Sequence, residues 1–368
     1  MRIKNWDTFS FIAIYHLLVI ALLPFAVAAF SWKAVPLFLV TYVIGGLSIT
    51  AGYHRLFAHR SYQANAFYEW AVLISSMLAF QWTALAWSHD HRLHHNHVDT
   101  DKDPYSIKKG FWYAHVLWLF NYKRDIQDHL VRDLLKNPRV MFQHKYYLPL
   151  AIAVNFGVWG LGCLFMEPVT ALYFGVVLRI FAIHHSTWFI NSLAHTIGSK
   201  TYARELSAVD NALLALVTFG EGYHNYHHAF ASDYRNGVRW YHFDPTKWLV
   251  WTASRLGLVK QLRTVNQVRI QRKLVAKDFQ LFREHLSEHI DERATEVRAR
   301  LEELAHSFEA SAAALLEKVQ QLKKATGEQR QLLRIEIRRH KQEISAAWRA
   351  WLELTDLASR QFHLTHAH

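Results

Sequence analysis

Five apolar stretches fill the first half of the chain, running from about Phe11 to Phe30, Val35 to Ala51, Phe67 to Trp87, Tyr147 to Phe165 and Val169 to Ile183. A helix of about 20 residues crosses the hydrocarbon of a bilayer, so a plain count predicts five spans. A parity constraint lowers it to four. Histidine clusters at 54–59 and 91–95 flank the third stretch, and a full span between them would put them on opposite faces of the membrane. The stretch 67–87, which contains Gln81, Trp82 and Trp87, is therefore expected to lie in the interface or to dip into the domain. Pro168, after Glu167, turns the chain between the last two stretches.

Beyond about residue 255 the pattern changes. The chain becomes charged and almost free of Gly and Pro, with apolar residues at helical spacing: Phe279, Phe282 and Leu286, then Leu301, Leu304, Phe308, Ala312, Leu315, Val319 and Leu322. After Gly327, Leu333, Ile337, Ile344, Trp348, Trp351 and Leu352 resume the apolar face. A strict heptad would want apolar residues at Ser311 and Lys318. The stripe fits either an intermolecular coiled coil or a hairpin bending near Thr326-Gly327. Two domains are expected: a membrane domain over 1–258 and a charged helical, coiled-coil-like extension over 259–368.

Charge adds orientation. Arg55, Arg60, Lys108, Lys109, Arg124, Arg132, Lys136 and Arg139 fall on the histidine side of a four-span arrangement, while the outer turns carry little beyond Lys33 and Glu167. Positive residues mark the cytoplasmic face, which places both termini and the histidines there. The net charge of +12 comes with no finger, recognition-helix or RNA-binding signature, so nucleic acid is not the expected partner. An acidic coenzyme or electron carrier gains from the same field. The single Cys163 allows neither a disulfide framework nor a thiolate metal site. No cleavable signal peptide is expected, because a second apolar stretch follows the first almost at once.

The candidate chemistry lies in His54-Arg-Leu-Phe-Ala-His59, His91-Arg-Leu-His94-His95 and His224-Asn-Tyr-His227-His228. Imidazole beside lipid is costly unless it is bound or paired. Residues four apart share a helix face, so His91 pairs with His95 and His224 with His228. Zinc is usually served by three or four side chains, so eight imidazoles imply two metals. Imidazole accepts iron, zinc, copper and nickel alike. A site at the inner end of apolar helices suits oxidation of an unactivated CH2 in a lipid chain. That task needs an oxygen-derived oxidant, which favours a pair of irons with O2 as co-substrate.

Over residues 5–255 the sequence resembles the membrane fatty-acyl desaturases of the stearoyl-CoA, delta-9 type. The resemblance rests on GYHRLFAHR (52–60), AFQWTALAWSHDHRLHH (79–95), DTDKDPYS (99–106), GFWYAHVLWLF (110–120), WFINSLAHTIGSKTY (188–202), GEGYHNYHHAFASDYRNG (220–237) and WYHFDPTKW (240–248). It implies an all-α membrane protein, four transmembrane helices under a cytosolic helical cap that holds a di-metal site. It also implies nine ligands to two irons: His54, His59, His91, His94, His95, His195, His224, His227 and His228. Asn191 would hold a water near one iron. His195 enters only through the Asn-Ser-x-x-His motif; His184 and His185 match no ligand position.

Glu221 and one of Asp90, Asp99 and Asp101 are expected to orient ligand rings. An acyl tunnel is expected to bend past Gln81, Trp82 and Trp188 and to close at Phe38 and Tyr42, which suits C16 and C18 chains. The resemblance implies cis desaturation at delta-9, with an acyl-CoA thioester ranked ahead of acyl-carrier-protein and glycerolipid esters. No fused haem or flavin domain is expected, so a separate ferredoxin or rubredoxin with its reductase would supply electrons. The HRLFAH box and short N-terminus suggest a bacterial inner-membrane protein. A di-iron fatty acyl or alkane hydroxylase is the alternative within enzymes. A membrane scaffold that self-associates through its tail is the alternative outside them.

Overall fold

The computed structural model describes residues 3–122, 124–287 and 292–362. The chain forms two compact units, Met1–Ser199 with Glu205–Thr264, and Lys200–Arg204 with Val265–His368. The first unit runs past residue 258 because Val259–Lys260 pairs antiparallel with Gln63–Ala64, Gln63 opposite Lys260.

Three helices of the first unit are long and apolar enough to cross a membrane: Trp6–Ala28, Ala34–Ala58 and Pro168–His195. Two more segments reach that length only as bent pairs. Ala66–Ala79 and Ala84–His97 meet at 83°, and Pro138–Lys145 and Tyr147–Cys163 at 78°. The third apolar stretch is thus broken near residues 80–83, as either a broken span or a re-entrant segment would be. Local sequence explains the break: Asn65 accepts from the Tyr68 amide and starts one helix, and Thr83 accepts from the Ala86 amide and starts the next. Side-chain oxygens at these positions satisfy otherwise orphaned N–H groups.

The first unit holds an apolar core of Tyr53, Phe57, Leu73, Leu85, Val131 and Val140, among others. Large apolar side chains such as Leu17, Ile20, Phe25, Phe156 and Leu161 point outward from the long helices. A helix that is apolar on its outside suits lipid rather than water.

The second unit consists of Gln267–Leu286, Glu292–Lys324 and Gly327–Gln361. Its two longest helices fold back on each other at Ala325-Thr326, and Gly327 takes φ +55°, a left-handed conformation that glycine adopts freely. Phe282, Leu301, Phe308, Leu315, Ile344 and Trp351 bury together there. Of the two arrangements the stripe allows, the chain forms the hairpin. Leu332 and Ile335 remain exposed. Trp351 is fully buried, and Trp351→Ala should cost about 3–5 kcal/mol through the lost ring and its cavity. Urea unfolding followed by circular dichroism, with limited proteolysis of residues 292–361, reads the loss; unchanged resistance would contradict this packing.

Candidate metal centre

The first histidine box sits where the second long helix changes its winding. Residues Ser48–Ala58 form a π-helix, and the His59 amide donates to the His54 carbonyl at 3.0 Å. That i→i+5 closure places residues five apart on one side, so His54 and His59 face the same point. Wide turns of this kind are rare and recur at functional sites. The second box ends the helix Ala84–His97, and the third forms the short helix His224–Ala229. Gly220, at φ +97°, opens the turn before that helix. A Cβ on Gly222 would overlap the backbone of Asn211 and Ala215, so only glycine allows the turn to close.

Nine histidines converge in two groups. His54, His59, His91, His95 and His227 form one; His94, His195, His224 and His228 form the other, with ligating atoms in each group within 4.8 Å of one another. The i,i+4 pairs His91/His95 and His224/His228 each serve one group, while His94 and His227 between them cross to the other. Neighbouring Nε2 atoms stand 2.8 Å apart for His59 and His91, 3.1 Å for His54 and His227, and 3.1 Å for His195 and His224. His185 joins neither group. It lies against His16 and His115, 3.1 Å from each.

Four of the outer ring nitrogens have a partner behind them. Glu221 Oε2 stands 2.8 Å from His54 Nδ1, and Asp103 Oδ1 2.9 Å from His94 Nδ1. Ser207 Oγ lies 2.6 Å from His195 Nδ1, and the Tyr105 hydroxyl 3.3 Å from His91 Nδ1. Such partners fix ring orientation and aim the other nitrogen inward. The sequence-based choice among the aspartates needs correction. Asp90 faces Arg124 at 2.7 Å and His89 at 3.0 Å. Asp101 is exposed, its carbonyl accepting from Lys109. Asp99 acts one step removed, accepting from the Ser207 amide at 2.7 Å. Closeness along the chain is not closeness in space here: the loop after His97 carries Asp103, not Asp99, back to the rings.

Arg55, beside His54 and fully buried, joins the boxes. It donates to Glu221 Oε1 at 2.9 Å and to Asp244 Oδ1 at 2.9 Å, and to the Tyr234 carbonyl at 2.7 Å. Burial would raise the Glu221 carboxyl, but His54 and Arg55 beside it hold it below the ordinary range. Nine imidazoles, four of them with a partner at the outer nitrogen, and no thiolate fit two transition-metal ions. The residues present thus fit the implied pair of irons.

A cavity in the same unit is lined by His54, His91, His94 and His224, and by Gln81, Trp82, Trp188 and Asn191. Phe38 and Tyr42 do not. Tyr42 stands one layer behind the wall, its hydroxyl 2.7 Å from Ser186 Oγ and donating to the Val217 carbonyl. Phe38 stacks on Tyr42 at 5.8 Å.

Comparison with known proteins gives a match to the family model described as fatty acid desaturase over residues 8–260. A Schizosaccharomyces pombe protein named probable acyl-CoA desaturase is 45% identical over 241 residues, 64% of this chain and 50% of that protein. Acyl-CoA desaturase 1 of Saccharomyces cerevisiae is 38% identical over 64% of this chain and 47% of its own length. The chain thus spans about half the length of these two yeast relatives. The sn-1 stearoyl-lipid 9-desaturase of Anabaena variabilis is 35% identical over 72% of this chain and 95% of that protein. The chain belongs to the fatty acid desaturase family.

Burial pushes the His224, His227 and His228 rings well below their ordinary value, which keeps them neutral and able to bind metal. A depressed folded-state pKa contributes stability above the unfolded value, about 6.5, and that stability is lost as pH falls below it. The thermal midpoint in detergent should therefore decline from about pH 6.5 downward, while metal per folded chain, held by rings that stay neutral, should persist below that pH; a midpoint flat to pH 5 would contradict this. Arg55→Ala leaves two carboxylates buried without their cation and should cost about 3–5 kcal/mol. Thermal unfolding beside metal analysis reads that loss, and a variant as stable as the parent would remove Arg55 from this role.

Proposed function

We propose that this member of the fatty acid desaturase family is an oxygen-dependent acyl desaturase that places a cis double bond at delta-9 of a saturated C16 or C18 chain. The observation that carries this reading is a largely apolar cavity whose lining includes four of the nine convergent histidines. Two irons held by His54, His59, His91, His95 and His227, and by His94, His195, His224 and His228, would supply O2-driven hydrogen removal from an unactivated CH2–CH2 pair. Overall, the acyl chain, one O2, two electrons and two protons give an alkene and two waters.

The protein's own part is position, dryness and shape. A lipid tail has no polar handle along its length, so the cavity wall must set which carbons face the metals. Trp82, Trp188 and Phe80 keep the wall apolar, and Asn191 would hold a water beside one metal. The narrow, dry fit also limits side reactions. Asp103, Tyr105, Ser207 and Glu221 keep the ligand rings turned inward. Tyr42, behind Ser186 and Phe219, would act on chain length through those residues.

Arg124 lines the cavity and lies over the Trp82 ring at 5.5 Å, and with Lys108, Lys109 and Arg132 it suits an anionic carrier. We take the substrate to be an acyl-CoA. A glycerolipid ester is the second reading, favoured by the name of the Anabaena relative. Electrons would come from a separate ferredoxin or rubredoxin with its reductase. The reading sets four spans, the pair Ala66–Ala79 and Ala84–His97 being re-entrant, under a cytoplasmic cap in a bacterial inner membrane. Self-association through the tail would have to use exposed residues such as Leu332 and Ile335, because the hairpin occupies the apolar stripe.

Replacing His195 and His185 separately tests the site. His195→Ala should lose metal and nearly all turnover, whereas His185→Ala should keep its metal, as measured by metal analysis of both purified proteins. Equal loss in the two would overturn the assignment of His195. Mass spectrometry of the product tests the reaction: desaturation removes two hydrogens, and a product heavier by one oxygen would identify a hydroxylase instead.

A further inference from the structure

Among the buried polar residues of the helix Leu178–Ser192 are Arg179 and His184, which the proposed chemistry does not use. Both are aimed at one short turn. Arg179 donates to the Leu78 carbonyl, to Asn155 Oδ1 and to the Gly175 carbonyl. His184 Nε2 lies 2.9 Å from the Ala79 carbonyl and 3.2 Å from that of Phe80. Carbonyls only accept, so Nε2 carries the hydrogen, and Nδ1 accepts from the Tyr15 hydroxyl at 3.0 Å. One turn further on, Thr187 Oγ1 accepts from Gln81 Nε2 at 2.8 Å.

A single helix therefore supplies donors to three consecutive carbonyls, Leu78, Ala79 and Phe80, at the end of Ala66–Ala79. Those are groups a helix leaves without partners, and a cation there also matches the helix dipole. The turn needs such support. Phe80 and Trp82 take φ of 53° and 67°, a left-handed conformation that is strained for bulky side chains. Both of these side chains line the cavity, as do Gln81 and His184.

We infer that Arg179 and His184 are positioning residues that hold the strained turn 80–82, and through it the register of the acyl chain and hence the position of the double bond. The inference rests on the desaturase reading. An apolar pocket discriminates a one-methylene slip by only roughly 10- to 200-fold, so a loosened turn is enough to spread the products.

The test compares full-length wild type, His184→Leu, His184→Gln and Tyr15→Phe with a saturated C18 acyl-CoA, O2 and a competent electron donor. Double-bond position is read by mass spectrometry of disulfide adducts, and iron per chain is measured for each protein. His184→Leu should raise products displaced by one or two carbons by about tenfold while keeping its iron. His184→Gln, which retains a donor for the carbonyls, should restore most of the single product. Tyr15→Phe, which removes only the bond that fixes the ring, should give a smaller shift in the same direction. If His184→Leu does not fold, Tyr15→Phe decides alone. An unchanged positional profile in the folded variants overturns the inference. Wild type giving no alkene would instead overturn the desaturase reading.

Discussion

The centre depends on a buried guanidinium. Arg55 follows a candidate ligand directly in sequence, and its fork reaches Glu221 and Asp244. Glu221 in turn stands against His54, and Asp244 caps the helix Pro245–Arg255 through the Lys247 amide. The first box, the turn before the third box and the helix closing the first unit are thereby tied at one point. Breaking such a pair is far costlier than its net contribution to stability suggests, because each partner left behind is a buried charge. Geometry is what the arrangement secures: it fixes the element that carries His54 against the turn before the third box.

That constraint explains the odd local structure around it. An ordinary α-helix would turn His54 and His59 to different sides, whereas the π-wound stretch Ser48–Ala58 faces them together. On the other side of the cavity, Phe80, Trp82 and Phe219 take left-handed backbone conformations and all three line the wall. Strain of this kind persists only where the surroundings over-determine it, and it is gathered here where an apolar chain would lie.

Much of the centre was legible in the sequence, for a physical reason. HxxHH spacing places two rings on one helix face and a third beside them, so the boxes announce themselves. The crossing of His94 and His227 between the two groups was not legible, because it depends on how two helices meet. His195 stood out only through resemblance. Asp103, Tyr105 and Ser207 were missed, since each reaches its ring by a loop whose course no local pattern encodes. The Arg55–Asp244 contact joins residues 189 apart and had no signal at all. In the tail, the apolar stripe was clear, but it satisfies a hairpin and an intermolecular coil equally; only the fold-back at Ala325-Thr326 distinguishes them.

The central claim is that nine imidazoles hold two irons in one chain. X-ray absorption and Mössbauer spectroscopy of the purified, iron-loaded protein test it most directly. The account predicts two irons per chain, each with a first shell dominated by histidine nitrogen. A single iron per chain, or a shell dominated by carboxylate oxygen, would contradict it.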